Sequence, residues 1–74
     1  MANVAVITGA AQGIGRRTAQ VLNEQGWSLL LLDLQSVDTS EYSSVLALAG
    51  DISEEQFVES AAKQCVEKFG RVDA

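Results

Sequence analysis

Short apolar runs alternate along the chain with stretches in which apolar side chains recur every three or four positions, and this alternation predicts strand, helix, strand, loop, strand, helix. Residues 3–8 read Asn-Val-Ala-Val-Ile-Thr, apolar and β-branched on both alternating faces, the pattern of a strand buried on both sides in a parallel sheet. Over residues 13–25, Ile14, Val21 and Leu22, with small Thr18 and Ala19 between them, keep the spacing of a helix buried on one face. Gly26 is placed to close that helix, because glycine takes left-handed backbone without steric cost. The four leucines at 29–32 fit helix or strand by periodicity alone; the shortness of the run and the glycine before it predict a second buried strand over 28–33.

Residues 34–44 contain four Ser and one Thr and no helical stripe, which predicts a loop with at most one helical turn. A third strand is expected over 45–49, followed by a turn at Gly50-Asp51-Ile52. Ser53-Glu54-Glu55-Gln56 has capping-box spacing, with Ser53 expected to accept from the third helical amide and Gln56 to bond back to Ser53. Val58, Ala61, Ala62, Cys65, Val66 and Phe69 then predict a single dry helix face that Gly70 ends. Arg71-Val72-Asp73-Ala74 reads as the approach to a further element.

Strands alternating with helices imply an α/β fold: a Rossmann-like, doubly wound parallel sheet with right-handed crossovers, here its first three strands in the order 3-2-1 with two main helices. The first strand is then central in a full domain, with a fourth strand expected on its open side. Left open, that edge would invite strand addition or aggregation.

Seventy-four residues make one domain at most. Five Lys and Arg against ten Asp and Glu give a net charge of −5, which argues against nucleic acid and anionic membrane surfaces as partners. No apolar run approaches the length of a bilayer span. The lone Cys65 has no disulfide partner within the chain, lies on the apolar stripe as a core residue, and points to a cytoplasmic location. There is no His, so acid/base chemistry within this chain falls to Tyr42, five basic residues, Cys65 or carboxylates. Glu54, Glu55, Glu59 and Glu67 read as a solvated helix face, and Trp27 as cover for the start of the second strand.

The candidate chemistry lies in Thr8-Gly9-Ala10-Ala11-Gln12-Gly13-Ile14-Gly15, between the first strand and the first helix. Backbone amides at a helix amino terminus hold a pyrophosphate, provided that no bulky side chain blocks the approach. Gly9 allows the sharp exit from the strand, Gly13 the approach of phosphate, and Gly15 close packing of helix on sheet. The spacing is G-x-x-x-G-x-G and not G-x-G-x-x-G, since Thr18 follows Gly13 and Gly15 where a third Gly would stand, and it is not a P-loop, since Arg16 and Arg17 follow Gly15. Asp33, 18 residues beyond Gly15, stands close to the spacing at which an acid accepts both adenosine ribose hydroxyls and repels a 2′-phosphate. The bland alternatives are a tight strand-to-helix connection, a polar strand end at Asp33 and solvated charges at Arg16 and Arg17. A methyltransferase also uses a glycine-rich turn followed by an acid; the glycine spacing here speaks against it.

With these residues in place, the chain resembles the short-chain dehydrogenase/reductase family, NAD(P)-dependent oxidoreductases on a Rossmann fold. The resemblance rests on Thr8 to Gly15, on Asp33, on Asp51-Ile52 and on Phe69-Gly70-Arg71-Val72-Asp73. It implies a cofactor site made by Gly9, Gln12, Gly13, Ile14, Gly15, Asp33, Leu34, Asp51 and Ile52. Within it Asp51 would accept from the adenine amino group and Ile52 would cover the ring; read from the residues alone, Asp51 is equally a turn residue ahead of the Ser53 cap. NADP users of the family tend to carry a basic residue where this chain has Gln12 or Leu34, so NAD is favoured.

The family's catalytic Tyr and its Lys four residues later cannot be assigned, because Leu46 stands four residues after Tyr42; neither can the family's Ser. Members usually run to about 250 residues as one domain, so residues 1–74 are expected to be the amino-terminal part of a homo-oligomeric enzyme that moves hydride between nicotinamide and a carbonyl or alcohol substrate. This part alone would then bind and not catalyse. The alternative is a stand-alone nucleotide-binding or interaction module.

Overall fold

The structure, a computed structural model, describes residues 3–73. Three strands and two helices follow in the order β1 (Val4–Thr8), α1 (Gly13–Glu24), β2 (Ser28–Asp33), β3 (Val45–Ala49) and α2 (Glu55–Phe69). β2 lies between the other two and pairs in parallel with both, Val4 opposite Ser28 on one side and Leu29 opposite Val45 on the other. All three strands therefore end at one edge of the sheet, with Thr8 level with Leu32 and Asp33 level with Ala49.

Strand periodicity sends alternate leucines of β2 to opposite faces. Leu29 and Leu31 pack with Ala5, Ile7, Ala10 and Ala19 beneath α1, while Leu30 and Leu32 pack with Val4, Ala61 and Cys65 beneath α2. Each fully buried leucine contributes roughly 1.5–3 kcal/mol. Four in sequence reach that value only in a strand covered on both faces, which decides the ambiguity of this run. A parallel sheet carrying one helix on each face is the doubly wound α/β class.

Several local expectations change. The strand begins at Val4 rather than Asn3, and α1 ends at Glu24. Ile14 is 87% exposed, so Ala19 and half-buried Leu22 carry the inner face of α1. On α2, Val58, Ala62 and Val66 are exposed, and the inner face is carried by Ala61 and Cys65 with Phe57 and Phe69. The expected Ser53 cap is not formed: the N-cap is Glu54, without a side-chain bond. Asp51 forestalls it, because its Oδ1 accepts the Ser53 N–H at 2.8 Å and its carbonyl accepts the Glu54 N–H at 3.0 Å, which closes a turn before the helix starts.

The 34–44 segment is irregular, as expected, yet it delivers a core residue. Tyr42, only 8% exposed, packs with Ala5, Ala19 and Leu31 on the α1 face. Asp73 reaches β1 from the far side: its N–H donates to the Val4 carbonyl at 2.8 Å and its Oδ2 accepts the Val4 N–H at 2.8 Å. The outer edge of β1 is thus occupied at its first residue, where it was expected to be bare. Ala74, the end of that approach, lies outside the described residues. Among the described residues no helix is long and apolar enough to cross a membrane.

Candidate functional site

β1 and β2 deliver the glycine turn and Asp33 to the same edge of the sheet. Gly9 and Gly13 both have φ +65°, left-handed backbone that a side chain would strain. Between them Gln12 is extended and forms the N-cap of α1, with no side-chain bond and no acid in the first turn. The first amides of an α-helix have no partners within it, so here they point outward uncapped, at the positive end of the helix dipole. Gly15 is fixed by contact: a Cβ there would lie 2.2 Å from the Gly9 carbonyl oxygen, so only glycine brings the helix this close to the strand end.

Asp33 ties this turn to β2. Its Oδ2 accepts the Ala11 N–H at 3.0 Å and its Oδ1 accepts the Gln35 N–H at 2.9 Å. Those bonds, Gln35 first and then Ala11, hold the carboxyl below the usual Asp range, so it is ionised at neutral pH. Each carboxylate oxygen keeps a second lone pair for an incoming hydroxyl. Ala11 was not singled out from the sequence; its contribution is a backbone amide, which residue identity does not reveal.

Beside Asp33 a cleft of about 250 Å³ runs between the ends of β1, β2 and β3, bounded by Gly9, Asp33, Leu34, Gly50, Asp51 and Ile52. Leu34 and Ile52, at 74% and 50% exposed, leave apolar surface at this cleft. Asp51 stands in its wall, its carboxyl held low chiefly by the Ser53 amide. Gly50 permits a further close approach, since a Cβ there would meet the Phe57 ring at 2.4 Å. The structure thus gathers Gly9, Asp33, Leu34, Asp51 and Ile52 round one cleft, with Gln12, Gly13, Ile14 and Gly15 in the turn and first helical residues that continue from Gly9. Chemically, the arrangement offers uncapped amides to an anion, a carboxylate to hydroxyl groups and two aliphatic side chains to a flat apolar ring.

The sequence model described as short chain dehydrogenase matches residues 3–74. The chain belongs to the short-chain dehydrogenase family. Among the relatives of this short-chain dehydrogenase sequence is the 3-hydroxyacyl-CoA dehydrogenase type-2 of Drosophila melanogaster, 37% identical over 75 residues, covering 95% of this chain and 29% of that protein. The 3-ketoacyl-(acyl-carrier-protein) reductase of Brucella melitensis, solved with NADH, superposes with a TM-score of 0.88 at 34% identity, over 96% of this chain and 31% of that one. An NADPH-dependent reductase involved in bacilysin biosynthesis superposes with a TM-score of 0.80 at 29% identity, over 96% and 34%. The chain therefore spans about three tenths of the length of these members. Such matches do not favour a stand-alone interaction module.

Proposed function

We propose that this chain is the dinucleotide-binding part of an oxidoreductase that moves hydride between a nicotinamide coenzyme and a carbonyl or alcohol substrate, with NAD preferred over NADP. The observation that carries the reading is the placement of an ionised Asp33, bonded to Ala11, against an uncapped helix terminus at the carboxyl edge of a parallel sheet. Relatives named as dehydrogenases and reductases, and the Brucella reductase solved with NADH, support it.

In this reading the amides of Gln12, Gly13 and Ile14 bind the pyrophosphate, with Gly9 and Gly15 keeping the approach clear. Asp33 accepts the hydroxyls of the adenosine ribose through the lone pairs left by Ala11 and Gln35. Asp51 accepts from the exocyclic amino group of adenine, while Leu34 and Ile52 cover the ring. Bound here, the coenzyme supplies or accepts the hydride. The chain's own residues anchor and orient it. A 2′-phosphate would meet the Asp33 carboxylate and be repelled, which underlies the preference for NAD. Cys65, buried with its thiol unpaired, accords with a reducing, cytoplasmic location.

Titration calorimetry of the chain with NAD and with NADP tests the proposal. NAD is expected to bind about tenfold tighter or better, since each 1.4 kcal/mol is a factor of ten. NADP binding as tightly as NAD would overturn the coenzyme preference, and no binding of either would overturn the site.

A further inference from the structure

A second cleft, of about 220 Å³, opens on the other side of the Asp33 anchor: its walls include Ala11 and Gln35, the two residues whose amides hold that carboxylate. Arg16, Asp38 and Glu41 also line it. Arg16 is the one cation of this cleft among the described residues, and a guanidinium is the group best suited to grip a phosphate.

Arg16 already faces carboxylates. Its Nε lies 3.8 Å from Glu41 Oε1, and the Arg16 charge also reaches Asp38. Glu41 is held in place from several directions. Gln20 Nε2 donates to its Oε1 at 3.1 Å, and Asn23 Nδ2 donates to its carbonyl at 3.2 Å. Asn23 Oδ1 accepts the Ser43 N–H at 3.0 Å, and neighbouring Tyr42 is sunk in the core. The 34–44 segment thus sets a carboxylate against α1 beside the one cation. With the two side chains 55% and 41% exposed, such a pair adds little to stability. Its effect falls on the charge that the cleft presents.

We infer that Glu41, aided by Asp38, is a second coenzyme-specificity residue: its carboxylate beside Arg16 offsets the charge of the cationic side chain in this cleft best suited to a 2′-phosphate, so that rejection of NADP rests on the 34–44 segment as well as on Asp33. The inference rests on the dinucleotide reading above. A phosphate entering here meets Asp38 and Glu41 against one cation already set beside a carboxylate. Removing the Glu41 charge frees Arg16 and leaves the NAD contacts untouched.

The test compares NAD and NADP binding by calorimetry in the unsubstituted chain, in Glu41→Gln and in the double variant Glu41→Gln/Arg16→Gln. Glu41→Gln is expected to lower the ratio of the NADP Kd to the NAD Kd by about tenfold, the scale of one charge-assisted phosphate contact. The NAD Kd should stay within about twofold, and the double variant should restore the original ratio. A ratio unchanged in Glu41→Gln, or still lowered once Arg16 is gone, would overturn the inference while leaving the dinucleotide site intact. Failure of the unsubstituted chain to bind NAD would instead overturn the dinucleotide reading, and this inference with it.

Discussion

Both helices start at the carboxyl edge of the sheet, on opposite faces and a few residues past a strand, and their first turns have opposite chemistry. The turn into α1 has two left-handed glycines, an extended Gln12 that caps nothing and no acid in the first turn. The turn into α2 is closed on itself: Asp51 takes the Ser53 and Glu54 amides, and Glu55 sits in the first turn against the positive end of the dipole. Neither N-cap makes a side-chain bond, but α2 places an acid of the chain against its dipole and α1 does not. The α1 terminus is the one proposed to take an anion. On the proposed reading, the difference separates a binding turn from a structural connection on one sheet edge, where position alone would make the two turns equivalent.

The sharpest way to break this comparison is to put a methyl group into each turn. Gly15→Ala drives a Cβ against the Gly9 carbonyl, backbone that cannot step aside, and should cost about 3 kcal/mol in denaturant unfolding while abolishing NAD binding. Gly50→Ala meets only the Phe57 ring, which can turn away, so its cost should be smaller. Equal costs would remove the distinction between the turns. Next in size, Asp33→Asn should weaken NAD about tenfold or more, as expected for losing bonds to a charged acceptor, and should narrow the gap to NADP in the same calorimetry.

Gln12→Asp gives α1 the cap that it lacks. It should raise stability by about 1 kcal/mol and weaken NAD binding, so that unfolding midpoint and affinity move in opposite directions. A variant that gains on both counts would contradict the assignment of the first turn to an anion.

The smallest effect is a pH dependence. The Asp33 and Asp51 carboxyls lie below their ordinary value of 3.8 in the folded state, each because backbone amides bond its ionised form. The folded chain thus binds protons less readily than the unfolded one, and the stability these groups contribute is complete above their unfolded value. It is lost as pH falls through their lower folded values. Unfolding midpoints should be level from neutral pH down to about pH 5 and fall below about pH 4; Asp51→Asn should make that acid decline shallower.

Much of this was legible in the sequence, and the failures share a cause. The four leucines of β2, the glycines at 9, 13 and 15 and Asp33 announce themselves, because burial on both faces and left-handed backbone restrict residue type. Tyr42 was invisible as a core residue, since a single side chain dropped into the core from an irregular segment leaves no period to detect. The Ser53 cap failed because Asp51, two residues earlier, takes the Ser53 amide that Gln56 was expected to bond, and spacing does not say which acceptor wins. Ile14, Val58 and Val66 fitted their helical stripes yet stand exposed, because periodicity counts apolar side chains and not what covers them. Site residues whose contribution is a backbone amide, Ala11 and Gln35, had no signal at all.

The most direct measurement follows backbone amide chemical shifts as ADP-ribose is added to the isotopically labelled chain. Saturable shifts are expected over residues 9–15, at Asp33 to Gln35 and at Asp51 and Ile52, with residues 55–58 at the start of α2 largely still. Shifts concentrated at the amino end of α2, or a chain that stays silent while folded, would contradict the proposed site.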